Sequence, residues 1–146
     1  MSFYTVEPEV AGELGPGTEF DRSVQPVAVT RLEYQFTNWL GDALLESTPC
    51  FIVTSELAQR IGEASLTGAA FGDVDVSVSP EGEELIRQPL PEWRWLKPVG
   101  KAYKDDFGLG DDLLLVVSER ALGVLREVGL EHADVEENGY RTNPSP

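Results

Sequence analysis

The stretch LLLVVSERALGVLREVGLEHADVEE, Leu113 to Glu137, decides the architecture. Its first five residues form a continuous apolar run, the pattern of a strand buried on both faces. Ser118 follows as a helix cap, because a serine hydroxyl there accepts an otherwise unpaired first-turn amide. Glu119 suits the positive end of the helix. Ala121, Leu125 and Val128, beside Leu122 and Val124, make an apolar stripe at helical spacing. Gly129 fits the helix end with Leu130 packing back, and Ala133-Asp134-Val135-Glu136 is a short return strand.

CFIVTSELAQRIGEASLTG, Cys50 to Gly68, obeys the same grammar. An apolar run leads to Ser55 as cap, Glu56 and Arg60 form an i,i+4 pair, and Leu57, Ile61 and Ala64 form the stripe. Aligning Ser55-Glu56 with Ser118-Glu119 places Ala58 on Ala121 and Ile61 on Val124. One inserted residue then brings Leu66 onto Leu130. Upstream, Gly41-Asp42-Ala43-Leu44-Leu45 echoes Gly110-Asp111-Asp112-Leu113-Leu114. Neither unit can hide its apolar face alone. The expected architecture is therefore a single α+β domain, a mixed β-sheet with two similar strand–helix–strand units packed on it.

The remaining segments are read around those units. VAVTRLEYQF, Val27 to Phe36, is β-rich, but its alternation slips near Thr30, which predicts a bulge or bend that keeps both halves facing one core. DVDVSVS, Asp73 to Ser79, alternates as a strand with one wet face, Val74, Val76 and Val78 pointing inward. SPEGEELIRQPLPEW reads as a turn-rich connection. WRWLKPVGKAY, Trp93 to Tyr103, reads as one or two short strands broken by Pro98 and Gly100. Residues 1–25, rich in Pro, Gly and Glu, are expected to form an irregular N-terminal arm, and residues 138–146 a frayed tail.

A chain of 146 residues, 41% apolar and 25% charged, has the size and composition of one globular domain. Its formal net charge of −15 repels nucleic-acid phosphates and anionic membranes and attracts basic partners. No 18-residue apolar run suggests a membrane helix, and the N-terminus lacks the pattern of a signal peptide. A single cysteine, Cys50, cannot form an internal disulfide, so a cytoplasmic home is expected.

Few constellations suggest catalysis. Cys50 and His132 could formally make a nucleophilic dyad, but Cys50 stands at the mouth of an apolar strand, where thiols pack rather than react. One Cys and one His do not make a zinc site. In DDFGLGDD, Asp105 to Asp112, four carboxylates invite a calcium reading, yet the spacing is not that of an EF-hand loop. A turn is the first reading, contact of Asp105, Asp106, Asp111 and Asp112 with a basic partner the second, and a metal the third. No cofactor is implied. Trp93 and Trp95 share one strand face. Core packing is their default, a protein-binding hot spot the rival, and a small-molecule-binding domain or small enzyme with a pocket near Trp93, Trp95 and Tyr103 is the alternative function.

An apolar strand ending Val-Ser-Glu-Arg, an amphipathic helix and a Gly-Leu return strand resemble small bacterial proteins that overlap with the immunity proteins of polymorphic-toxin systems. Ser118-Glu119-Arg120 carries the closer match. Ser55-Glu56 with Leu66-Thr67-Gly68 carries the looser one, and the pattern spans roughly residues 38–136. The chain lacks the paired Cys-x-x-Cys-Gly motifs of some such proteins, so no metal-linked role is carried over. The resemblance implies a non-catalytic protein that binds and neutralises a cognate toxin domain, and it implies no catalytic residues. A basic toxin domain would be steered toward this acidic surface.

Overall fold

The strand Cys50–Thr54 is buried at all five residues, because it lies in a sheet covered on both sides. The computed structural model describes residues 2–138. Along these, the elements are β1 (Phe3–Glu7), β2 (Gly12–Leu14), β3 (Glu19–Asp21), β4 (Ala28–Arg31), β5 (Glu33–Phe36), β6 (Leu44–Ser47) and β7 (Cys50–Thr54). There follow α1 (Ser55–Glu63), β8 (Ala69–Gly72), β9 (Asp75–Val78), α2 (Pro80–Leu85), β10 (Trp93–Pro98) and β11 (Phe107–Leu109). The last are β12 (Leu115–Ser118), α3 (Glu119–Val128) and β13 (Asp134–Glu137). Among the described residues no helix is long and apolar enough to cross a membrane.

The α+β class holds, but the single shared sheet divides into two. One sheet runs β11-β12-β1-β13 and the other β6-β7-β10-β8. In each, the first strand and the return strand of a repeat unit do not pair directly. A third strand, antiparallel to both, lies between them: β1 between β12 and β13, and β10 between β7 and β8. The two units therefore share a split strand–helix–strand topology, each with a further strand outside the first. The sequence similarity between them has a counterpart in the fold.

Apolar alternation explains the layering. Phe51 and Val53 of β7 enter one core with Leu44, Leu57, Ile61, Leu96, Leu115, Val117 and Leu125, which the two helices share with both sheets. Cys50 and Ile52 point the other way, into a second core with Leu45, Trp93, Trp95, Leu32, Tyr34 and Phe36. That second core is closed by a small sheet, β2-β5-β9.

Several expectations are corrected. The N-terminal arm is not irregular: Phe3–Glu7 is an interior strand, with Val6 only 1% exposed. In FYTVE, Tyr4 and Val6 pack on the helix-bearing core, while Thr5, Glu7 and Phe3 take the other face, where Phe3 is buried against Tyr103. Asn138 is also fixed. Its amide donates to the Phe3 carbonyl at 2.7 Å and its side chain to Thr5 Oγ1. The remaining tail, 139–146, lies outside the described residues.

The slip in VAVTRLEYQF is a bend rather than a bulge, and it keeps Val29 before it and Leu32, Tyr34 and Phe36 after it on one core. The strand breaks at Leu32 and changes sheets, β4 pairing with β3 and β5 with β2 and β9. The connection after Ser79 holds a short helix, α2, with Pro80 at its first turn and Ser79 Oγ accepting from the Gly82 amide at 3.0 Å. Val76 is 40% exposed, since β9 is a sheet edge. Leu113, expected within a buried strand, stands in a turn at φ +66° and is exposed.

The repeat register also moves by one residue. Thr54, not Ser55, caps α1, its Oγ1 accepting from the Leu57 amide at 3.1 Å. Ser118 caps α3 in the same way, accepting from Ala121 at 3.1 Å. The cap is the last strand residue, so Thr54 matches Ser118, and buried Ile61 matches buried Leu125.

Candidate partner-binding face and the junction beside it

Asp106 stands just before β11, where the two units meet. Its Oδ1 accepts from Ser118 Oγ at 2.5 Å and Arg120 Nε at 2.9 Å. Its Oδ2 accepts from the Thr67 amide at 2.7 Å, Thr67 Oγ1 at 3.2 Å and Arg120 Nη2 at 2.8 Å. Arg120 Nη2 also reaches the Ser65 carbonyl at 3.2 Å. Burial by itself raises the Asp106 pKa. The Arg120 guanidinium, the Ser118 hydroxyl and the Thr67 amide outweigh burial and hold it at about 2.

Leu66-Thr67-Gly68 and Ser118-Glu119-Arg120, the two motifs that carry the resemblance, thus converge on one carboxylate. The turn needs glycine, because a Cβ on Gly68 (φ +87°) would lie 2.2 Å from the Phe107 carbonyl. Asp106 is not a contact for a partner. Its lone pairs are taken and its side chain is 7% exposed, so it is a structural clamp.

The Gly-Asp echo in the sequence has no matching role in the fold. Asp42 is buried and accepts from the amides of Glu131 at 2.9 Å and His132 at 2.8 Å. Beside it, Glu9 accepts from the Leu40 amide at 2.6 Å, and burial raises its pKa. Asp111, the counterpart of Asp42 in the alignment, is exposed.

The other acids of DDFGLGDD part from Asp106. Asp105 accepts from the Lys101 amide at 2.7 Å, closing a turn. Asp112 accepts from the Leu114 amide at 3.1 Å and lines two adjoining grooves on the outer face of the β11-β12-β1-β13 sheet. The first groove, about 250 Å³, is also lined by Thr5, Glu7, Asp134, Glu136 and Asn138. The second, about 380 Å³, is also lined by Lys101, Tyr103 and Asp111. Tyr103, itself at φ +68°, sets its ring edge-on to Phe3 at 5.8 Å. Five carboxylates and one lysine thus line this face.

Glu7, Asp134 and Glu136 were missed as site residues because only pairing of β1 with β13 brings them together. The register places Thr5 opposite Glu136 and Glu7 opposite Asp134. The alternation in FYTVE was the available signal.

The aromatic pocket is not formed as expected. Trp93 and Trp95 are core residues at 7% and 8% exposure, which also removes them as partner contacts. Trp93 packs against Phe36 at 5.4 Å and Trp39 at 5.6 Å, and Lys97 Nζ covers Trp95 at 4.3 Å. Tyr103 belongs to the outer face of the other sheet. Cys50 and His132 do not meet either. Cys50 begins β7, whereas Asp42, which binds the His132 amide, adjoins the residue that accepts from Thr54 at the far end. The two ends of the strand are four residue steps apart, about 13 Å. Burial pushes the Cys50 thiol up to about 11, only partly offset by Lys97, which disfavours the nucleophilic thiolate.

Compared with known proteins, the chain matches no family model and no curated sequence.

Proposed function

We propose that the chain is a non-catalytic immunity-type protein that binds and neutralises a cognate bacterial toxin domain. The observation that carries this reading is the outer face of the β11-β12-β1-β13 sheet, where Glu7, Asp111, Asp112, Asp134 and Glu136 line adjoining grooves. On a chain of net charge −15, such a face presents a negative field to a basic protein surface and speeds encounter with it. The Val-Ser-Glu-Arg pattern supports the same reading by resemblance. Its Ser118 and Arg120 are engaged in the clamp that holds the two units together, so the partner contacts are assigned to the exposed acids of the outer face.

The test is co-expression with the C-terminal domain encoded by an adjacent large toxin gene. Rescue of growth and a stable complex on gel filtration are expected. Failure of both sinks the reading. Cys50→Ala and His132→Ala should leave protection intact, because no covalent step is involved.

A further inference from the structure

Among the described strands, the sheet edges are charged or covered, with one exception. β13 carries Asp134, Glu136 and Glu137, β2 carries Glu13 and β9 carries Asp75. The two-stranded β3–β4 hairpin carries Glu19, Asp21 and Arg31. β6 is bridged by Glu9 at Leu45, and β11 by Lys101 at Leu109. β8, with the sequence Ala69-Ala70-Phe71-Gly72, has no charged side chain and pairs with β10 alone. A row of N–H and C=O groups left open on an uncharged edge is a template for another strand.

The surroundings of β8 say what such a strand would carry. A groove of about 350 Å³ runs beside it, lined by Ser55, Ala58, Gln59, Phe71 and Arg94. Phe71 lies opposite Leu96 and so stands on the helix-bearing face of the sheet. Arg94 donates from Nε to the Gly72 carbonyl at 3.2 Å and keeps four further N–H donors. On the other face, Lys97 lies over Trp95, and Gly72 has no side chain to cover it. Neither Arg94 nor Lys97 has an ion-pair partner among the described residues. One cation thus stands on each face of β10, one strand in from the open edge.

We propose that the β8 edge is a strand-addition site for an extended segment of a partner protein, which lays an apolar side chain in the Phe71 groove and carboxylates beside Arg94 and Lys97. Backbone pairing supplies the affinity and the alternating side chains supply the selectivity. This surface lies on a different sheet from the acidic face and does not rest on the immunity reading.

The test uses the full chain and two N-acetylated synthetic peptides, one alternating valine with glutamate, the other valine with lysine. At about 0.15 M salt the Debye length is about 8 Å, which screens the acids of the other sheet, so the preference reads Arg94 and Lys97 against Asp73, the exposed acid that directly follows Gly72. Amide resonances of Ala69–Gly72 should shift with the glutamate peptide, and hydrogen exchange at β8 should slow about tenfold or more on saturation. The glutamate peptide should bind about tenfold more tightly than the lysine peptide, and Arg94→Gln should erase most of that preference. Lys97→Gln, at an exposed position, gives the same readout if Arg94→Gln does not fold. Shifts that bypass β8 overturn the proposal, as does equal binding of the two peptides. Concentration-dependent shifts at β8 without peptide also overturn it, because the occupant is then a second copy.

Discussion

Arg120 meets Asp106 with two nitrogens, Nε 2.9 Å from Oδ1 and Nη2 2.8 Å from Oδ2. The same carboxylate accepts the Thr67 amide from the other strand–helix unit. A fork of this shape matches a carboxylate in both spacing and plane, and the near-complete burial of Asp106 keeps water from competing.

Asp106→Ala should therefore cost roughly 3 kcal/mol in chemical denaturation, because it strands the Ser118 hydroxyl and the Thr67 amide without their acceptor. Arg120→Gln should cost less, since the hydroxyl and amide donors remain. A double-mutant cycle between the two positions should show coupling. Additive losses would count against the clamp.

Asp106 titrates at about 2 in the fold, against an ordinary value of 3.8. A depressed folded pKa means that its stabilisation is fully present above the unfolded value and is lost as the pH falls from about 3.8 through about 2. Denaturation midpoints at pH 5 and pH 2 should differ by an amount that includes about 2 kcal/mol from this group, and Asp106→Asn should remove that share. Glu9 has the opposite sign. Burial raises its pKa, so its contribution is present at low pH and lost as the pH rises through the folded value.

The cap register is open to a direct comparison. Thr54→Ala should destabilise the protein by about 1 kcal/mol, because the Leu57 amide loses its acceptor. Ser55→Ala should be close to neutral. The reverse order in thermal melts would restore the cap to Ser55.

Deleting residues 2–7 should abolish cooperative unfolding, since β1 pairs with both β12 and β13 and contributes Val6 to the core. A dispensable arm would leave the melt unchanged, and circular dichroism distinguishes the two outcomes.

On the outer face, the pair Glu7→Lys and Asp134→Lys should slow association with a basic toxin domain about tenfold at low salt, with the difference shrinking as salt is added. Stopped-flow mixing measures this. An unchanged rate would move the interface elsewhere.

What the linear sequence determined was local. The apolar run Cys50–Val53 marked a buried strand, and the hydroxyl-bearing residues at the ends of the two strands, with the apolar stripes beyond them, marked two capped helices, though the first cap lies one residue before Ser55. The same reasoning found two related units, because propensity, capping and periodicity depend on neighbours a few residues apart. Tertiary structure decided the rest. Whether the units shared one sheet or two depended on which distant strand, β1 or β10, slid between each pair, and no local pattern encodes that choice. The acids of DDFGLGDD look alike in sequence, yet Asp106 became a buried clamp because Thr67, Ser118 and Arg120 closed around it, while Asp112 stayed on a groove. Glu7 and Asp134 became neighbours through pairing across more than a hundred residues. A carboxylate's role follows from the donors and solvent around it, and those are set only when remote segments meet.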